Sequence, residues 1–237
     1  MKKILLSLAA IGLSAINAGA TIITVVDDFE TPQSNISASN GGTNTGSFMA
    51  LGGGYGVDRQ LYISSTSGPL FVDTEVAAGY YLFGIDPLSN GSGGVRYQKT
   101  GGGALGFSAD LTSFVLEVVL ADVVGGSVEM FATDGSTTWT SSPALVLPLT
   151  PPGYTLTFTK ASFGGGFDPT TITQFGFRVI GVTNLDVVFD NFRTFTAECG
   201  DPGMPACPNG EVPEPASMAL MGIGLVGLGF LGRRLRK

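Results

Sequence analysis

The chain has 237 residues, 43% of them hydrophobic, with 36 glycines, two cysteines and no histidine. Without histidine, Ser-His-Asp and Cys-His nucleophile systems and histidine-bearing zinc sites are excluded; carboxylate chemistry and oxygen-ligated calcium survive that filter. All nineteen acidic residues lie between Asp27 and Glu214 with only six basic ones among them, a net of thirteen negative charges that repels phosphate backbones and excludes nucleic acid as a partner.

In chain order, the first element is a targeting segment. Lys2 and Lys3 form a positive n-region, residues 4–16 an apolar h-region, and Ala18-Gly19-Ala20 a small-x-small cleavage site. Residues 1–20 are therefore expected to be a signal peptide, with the mature chain starting at Thr21. The next 176 residues, 21–196, are the size of one domain. Alternating apolar and polar residues predict strands at 24–29, 61–64, 80–83, 95–99, 113–121, 127–132, 154–159, 175–180 and 185–192. The stretch YTLTFT at 154–159 is the cleanest, with Tyr154, Leu156 and Phe158 on one face and threonines on the other. Clusters such as NGG at 40–42, GGG at 52–54, NGSGG at 90–94, GGG at 101–103 and Asp134-Gly135 read as turns. No stretch of this region holds a helical period. The expected fold class is all-β, a two-sheet β-sandwich of the jelly-roll kind.

Residues 197–211 are rich in proline and glycine and read as a linker. It contains both cysteines, Cys199 and Cys207, in the stretch CGDPGMPAC. In an oxidising compartment they are expected to form a disulfide closing that short loop. The end of the chain has three parts in order. Val212-Pro213-Glu214-Pro215 should be extended, because proline lacks a backbone N–H and disfavours helix before it. Residues 216–232 are apolar and uncharged, at the short limit of a membrane-spanning helix. Residues 233–237, RRLRK, hold the cytoplasmic side.

That tripartite end, residues 212–237, resembles the PEP-CTERM sorting tail of Gram-negative bacteria. In that family the Pro-Glu-Pro motif marks a protein for an exosortase, a membrane protease that processes the tail during export. The resemblance implies an exosortase-type partner, passage through the inner membrane, and delivery to the cell surface or extracellular medium.

The two ends of the domain carry a second resemblance. It opens with DDFE at 27–30 and closes with DNF at 190–192. This looks like the galactose-binding-like jelly roll of many carbohydrate-binding modules, in which the first and last strands pair. Several such families hold a structural calcium there, and the resemblance implies Glu30 and Asp190 as its ligands; calcium takes six to eight hard oxygens, so two carboxylates with backbone carbonyls suffice to seed a site. For glycan binding, the residues themselves offer Trp139 in a loop or edge segment, Arg96 and Tyr97 in the stretch RYQ, and Tyr80-Tyr81. Each aromatic is equally suited to core packing. Arg96 and Gln98 share a face opposite Tyr97, so one set at most faces a ligand. No nucleophile motif, phosphate loop or cofactor fingerprint is present, and catalysis is not expected. The expected function is that of an exported, non-catalytic protein with a structural role at the cell surface or in an extracellular polysaccharide matrix. The alternatives are a carbohydrate-binding module and, more remotely, an anchored glycoside hydrolase.

Overall fold

The computed structural model describes residues 21–51, 55–123, 125–147 and 153–197. Thr21–Thr196 form one compact unit. The expected signal peptide with Ala18 and Ala20, the Cys199–Cys207 loop, and the tail with Val212, Pro213, Glu214 and Pro215 lie outside the described residues.

Fifteen strands are described. They are β1 (Thr21–Asp27), β2 (Gln33–Ala38), β3 (Thr43–Thr45), β4 (Met49–Ala50), β5 (Val57–Ser67), β6 (Val72–Ala77), β7 (Tyr80–Ile85) and β8 (Asn90–Lys99). They continue with β9 (Leu111–Ala121), β10 (Ser127–Thr133), β11 (Thr138–Thr140), β12 (Leu145–Val146), β13 (Tyr154–Thr159), β14 (Gln174–Gly181) and β15 (Asp186–Ala197). Two short 3₁₀ turns, Lys160–Phe163 and Pro169–Thr171, are the only helical pieces among the described residues. The strands form two sheets. Sheet 1 runs β13-β9-β15-β7-β6-β2, with β1 also paired to β15. Sheet 2 runs β11-β10-β14-β8-β5-β3, with β12 on β10 and β4 on β5. The fold is thus the all-β jelly-roll sandwich, and its first and last strands do pair.

Alternation buries one face of the long strands, strictly in β5 and β10. In β5 the buried residues are Val57, Arg59, Leu61, Ile63 and Ser65, and in β10 they are Val128, Met130 and Ala132. The inner faces meet in an aromatic-rich core. Phe114 and Phe192 of sheet 1 both pack on Phe175 of sheet 2, with ring centroids 5.6 and 5.7 Å apart. Phe189 and Phe192 are three apart, yet both are buried. A register shift against β9 between Asp190 and Phe192, with Asn191 at φ 44°, moves the side-chain alternation by one position.

One buried ionic group crosses between the sheets. Arg59 of β5 is fully buried, and its Nη1 donates to both carboxylate oxygens of Asp27, at 3.0 and 2.9 Å. The Tyr97 hydroxyl of β8 donates to Asp27 Oδ2 at 2.9 Å, and the Phe29 N–H to Oδ1 at 2.8 Å. Arg59 Nε donates to Gln33 Oε1 at 3.2 Å and Nη2 to the Thr31 carbonyl. Burial pushes the Asp27 carboxyl above its ordinary range, while the Arg59 charge and these hydrogen bonds pull it back.

Candidate ligand-binding groove

The outer face of sheet 2 is built from the residues left over by the buried alternation. Cross-strand register sets them in rows. One row reads Tyr62–Gly94–Arg178–Glu129 across β5, β8, β14 and β10. The next reads Gln60–Arg96–Gly176–Phe131–Thr140 and ends on β11. Each row places an aromatic beside a glycine, and the glycine is needed. A Cβ on Gly94 would stand 2.0 Å from the Phe177 carbonyl oxygen and 2.9 Å from the Tyr62 hydroxyl. On Gly176 it would stand 2.0 Å from the Val95 oxygen and 2.8 Å from Phe131 Cζ. The Tyr62 ring therefore lies across Gly94, where its hydroxyl donates to the Phe177 carbonyl at 3.2 Å, and Phe131 lies across Gly176. The two rings meet edge to face, centroids 6.1 Å apart at 71°.

Tyr62, Arg96, Glu129, Phe131 and Arg178 line a shallow groove of about 250 Å³, completed by Thr138 and Thr140. Arg178 pairs with Glu129. The Arg96 guanidinium carbon lies 5.2 Å from the Tyr62 ring centroid. Its Nη1 donates to Gln60 Oε1 at 3.5 Å, and its shielded Nε has no hydrogen-bond partner among the described residues. Burial pushes the Tyr62 hydroxyl far above its ordinary range, only partly offset by Arg178 and Arg96, so it stays a neutral donor. Two rings, two threonine hydroxyls, a carboxylate and two guanidinium groups lining one groove can hold a sugar ring by its apolar face and its hydroxyls.

The residues singled out from sequence divide. Arg96 is in the groove. Tyr97 is not: it is fully buried on the opposite face of β8, 5.1 Å from Phe175, and its hydroxyl is committed to Asp27. Trp139 is on edge strand β11, but its register partner is buried Ala132 and its ring packs against Phe167 at 5.7 Å. It therefore faces the core, while Thr138 and Thr140 on either side of it face the groove. Tyr81 is core and Tyr80 is exposed on sheet 1. Sequence reading missed Tyr62, Phe131, Arg178 and Glu129 as groove residues. Each sits at a polar-face position of a predicted strand, and only cross-strand register shows that they converge.

For metal, Glu30 and Asp190 belong to one corner of sheet 1. The Glu30 carboxylate packs over Gly79 in the β6–β7 turn, 3.0 Å from where a Cβ would lie, and has no hydrogen-bond partner among the described residues. Asp190 follows Phe189, the register partner of Tyr81 just past that turn. No group of three or more acidic side chains converges to hold a metal ion among the described residues. An ion here would need these two carboxylates plus backbone carbonyls.

The chain ends in a PEP-CTERM protein-sorting motif, whose family description matches residues 211–237. No curated protein matches the chain significantly in sequence. Among solved structures, the chain is similar to the family 11 carbohydrate-binding module of a cellulosomal cellulase of Clostridium thermocellum. That alignment has 16% identity and a TM-score of 0.41, covering 75% of this chain and 96% of that one. It is likewise similar to the family 11 module from Clostridium thermocellum in complex with a β-1,3-1,4-mixed-linked tetrasaccharide. The values there are 15% identity and a TM-score of 0.41, with 78% of this chain and 96% of that one covered.

Proposed function

We propose that this protein is an exported, non-catalytic component of the cell surface or extracellular polysaccharide matrix, and that its sandwich holds polysaccharide in the groove on sheet 2. The sorting motif at 211–237 marks it for export and exosortase processing. The observation that carries the binding reading is the pair of rings, Tyr62 over Gly94 and Phe131 over Gly176, which meet edge to face beside Arg96, Thr138 and Thr140. The non-catalytic reading is supported by the charge pattern of the same face. A glycosidase needs two carboxylates about 5–10 Å apart. The groove contains one, Glu129, and it is neutralised by Arg178.

The test is a glycan array probed with the purified protein, followed by Tyr62→Ala and Phe131→Ala. Retention on a defined glycan that falls at least about tenfold in both variants, with unchanged melting temperature, supports the groove; stacked aromatics contribute on this scale. Absence of retention on any glycan leaves the structural role alone. Turnover of a polysaccharide by the protein would overturn the non-catalytic reading.

A further inference from the structure

The groove differs in charge from the domain that carries it. Residues 21–196 hold fifteen acidic and six basic residues, a net of nine negative charges. The groove has two guanidinium groups, Arg96 and Arg178, against one carboxylate, Glu129. Among the described residues, Arg59, Arg178 and Arg193 each have a carboxylate within ion-pair distance, at Asp27, Glu129 and Glu117. Lys160 donates to the Ala109 carbonyl at 2.7 Å, and Lys99 is exposed to solvent. Arg96 is the half-buried cation left without a counter-charge. Its Nε is shielded from water and unpartnered, and its polar contact to Gln60 is long, at 3.5 Å.

A guanidinium withdrawn from water without an anion is costly, and the cost falls when a ligand supplies one. The one carboxylate that lines the groove, Glu129, is paired with Arg178, and none stands within ion-pair distance of Arg96 among the described residues. Tyr62 holds the guanidinium at 5.2 Å from its ring centroid, which fixes a planar donor fork rather than a mobile point charge. That fork matches the two oxygens of a carboxylate.

Resting on the proposal that the groove binds glycan, we infer that its ligand is an acidic saccharide, and that Arg96 receives the carboxylate of a uronic acid residue while Tyr62 and Phe131 bear the sugar rings. The neighbouring Arg178–Glu129 pair supplies no free charge, so Arg96 alone sets this preference.

Two oligosaccharides separate this inference from the reading beneath it: oligogalacturonate, which is acidic, and a mixed-linkage β-glucan oligosaccharide, which is neutral. Calorimetric titration of the purified protein should show tighter binding of oligogalacturonate, weakening with added salt. Arg96→Gln should lose about ten- to a hundredfold in affinity for the acidic ligand, the scale of a hydrogen bond to a charged group, and little for a neutral one. Arg96→Lys, which keeps the charge and loses the fork, should fall between. Melting curves of both variants show whether the fold is intact. Equal binding of both oligosaccharides, or an acidic affinity that Arg96→Gln leaves unchanged, overturns the acidic preference while leaving the groove standing. If neither oligosaccharide binds and the array above is also blank, the groove reading falls and takes this inference with it.

Discussion

Arg59 shows what a single buried side chain does for this domain. It is the largest fully buried residue, and it joins β1 of one sheet to β5 of the other through Asp27. Removing one member of such a pair strands the other charge in the core. Arg59→Met should therefore cost about 3–5 kcal/mol in chemical denaturation, and adding Asp27→Asn should recover part of it because the orphaned charge is then gone. A cost below 1 kcal/mol for the single variant would mean that water reaches the carboxylate. A second residue-scale effect lies on the outer face of sheet 1. Asp73 and Asp186 are both register partners of Gly84, with carboxylate oxygens 2.9 and 3.0 Å from where its Cβ would lie. Burial, with help from Asp86, raises both above the ordinary 3.8; Asp186 and Glu75 add to the rise at Asp73, and Asp122 adds to it at Asp186. A raised carboxyl opposes folding at neutral pH, and the opposition is relieved as pH falls through its folded pKa. Asp73→Asn should raise the melting temperature at pH 7, and the gain should shrink towards zero below about pH 3.8, where the native acid is protonated in both states. A gain independent of pH would show that the effect is packing, not charge.

At the scale of elements, glycine placement decides the architecture. NGSGG at 90–94 reads as a turn in sequence, but these residues begin strand β8. The reason is close approach: a Cβ on Gly91 would stand 2.8 Å from Val72 Cγ2, and one on Gly93 2.7 Å from the Phe83 ring. β8 lies between β5 and β14 and passes beneath large neighbours that fill the room side chains would have taken. The β1–β15 pairing makes a second element-scale prediction. A calcium ion held by Glu30 and Asp190 would tie the first strand's exit to the last strand, where edge unfolding begins. Binding only the folded state adds about 2.7 kcal/mol at a hundredfold excess over Kd. Chelator should lower the melting temperature, and Asp190→Ala should abolish that sensitivity. An unchanged curve would leave both acids as ordinary corner residues.

At the scale of the whole molecule, the domain and the tail have separable tasks. The sandwich presents the groove, and the motif in 211–237 sets the address. Replacing Pro213-Glu214-Pro215 with alanines should keep the protein in the inner membrane with its groove intact, as read by fractionation and glycan retention together. Unchanged delivery to the surface would reduce the motif to a linker.

The sorting motif, the fold class and nine of the strands were legible in the sequence alone. Proline, apolar span and basic end act through local chemistry and need no partner to be read, and two-residue alternation survives in any long half-buried strand. All nine predicted strands overlap observed ones. The short β3, β4, β11 and β12 were not legible, because two or three residues give too little period; β2, QSNISA, has too few apolar residues to alternate, and β6 was hidden by its acids, Asp73 and Glu75, on the outer face. The bulge at Asn191 was equally silent, since it turns on backbone φ against β9. The groove belonged to tertiary structure alone. Tyr62, Arg96, Phe131 and Arg178 come from four strands between positions 57 and 181, and what brings them together is sheet order and register. Trp139 and Tyr97 went the other way for the same reason: a side chain's face is set by the parity of its pairing, which no single strand reveals.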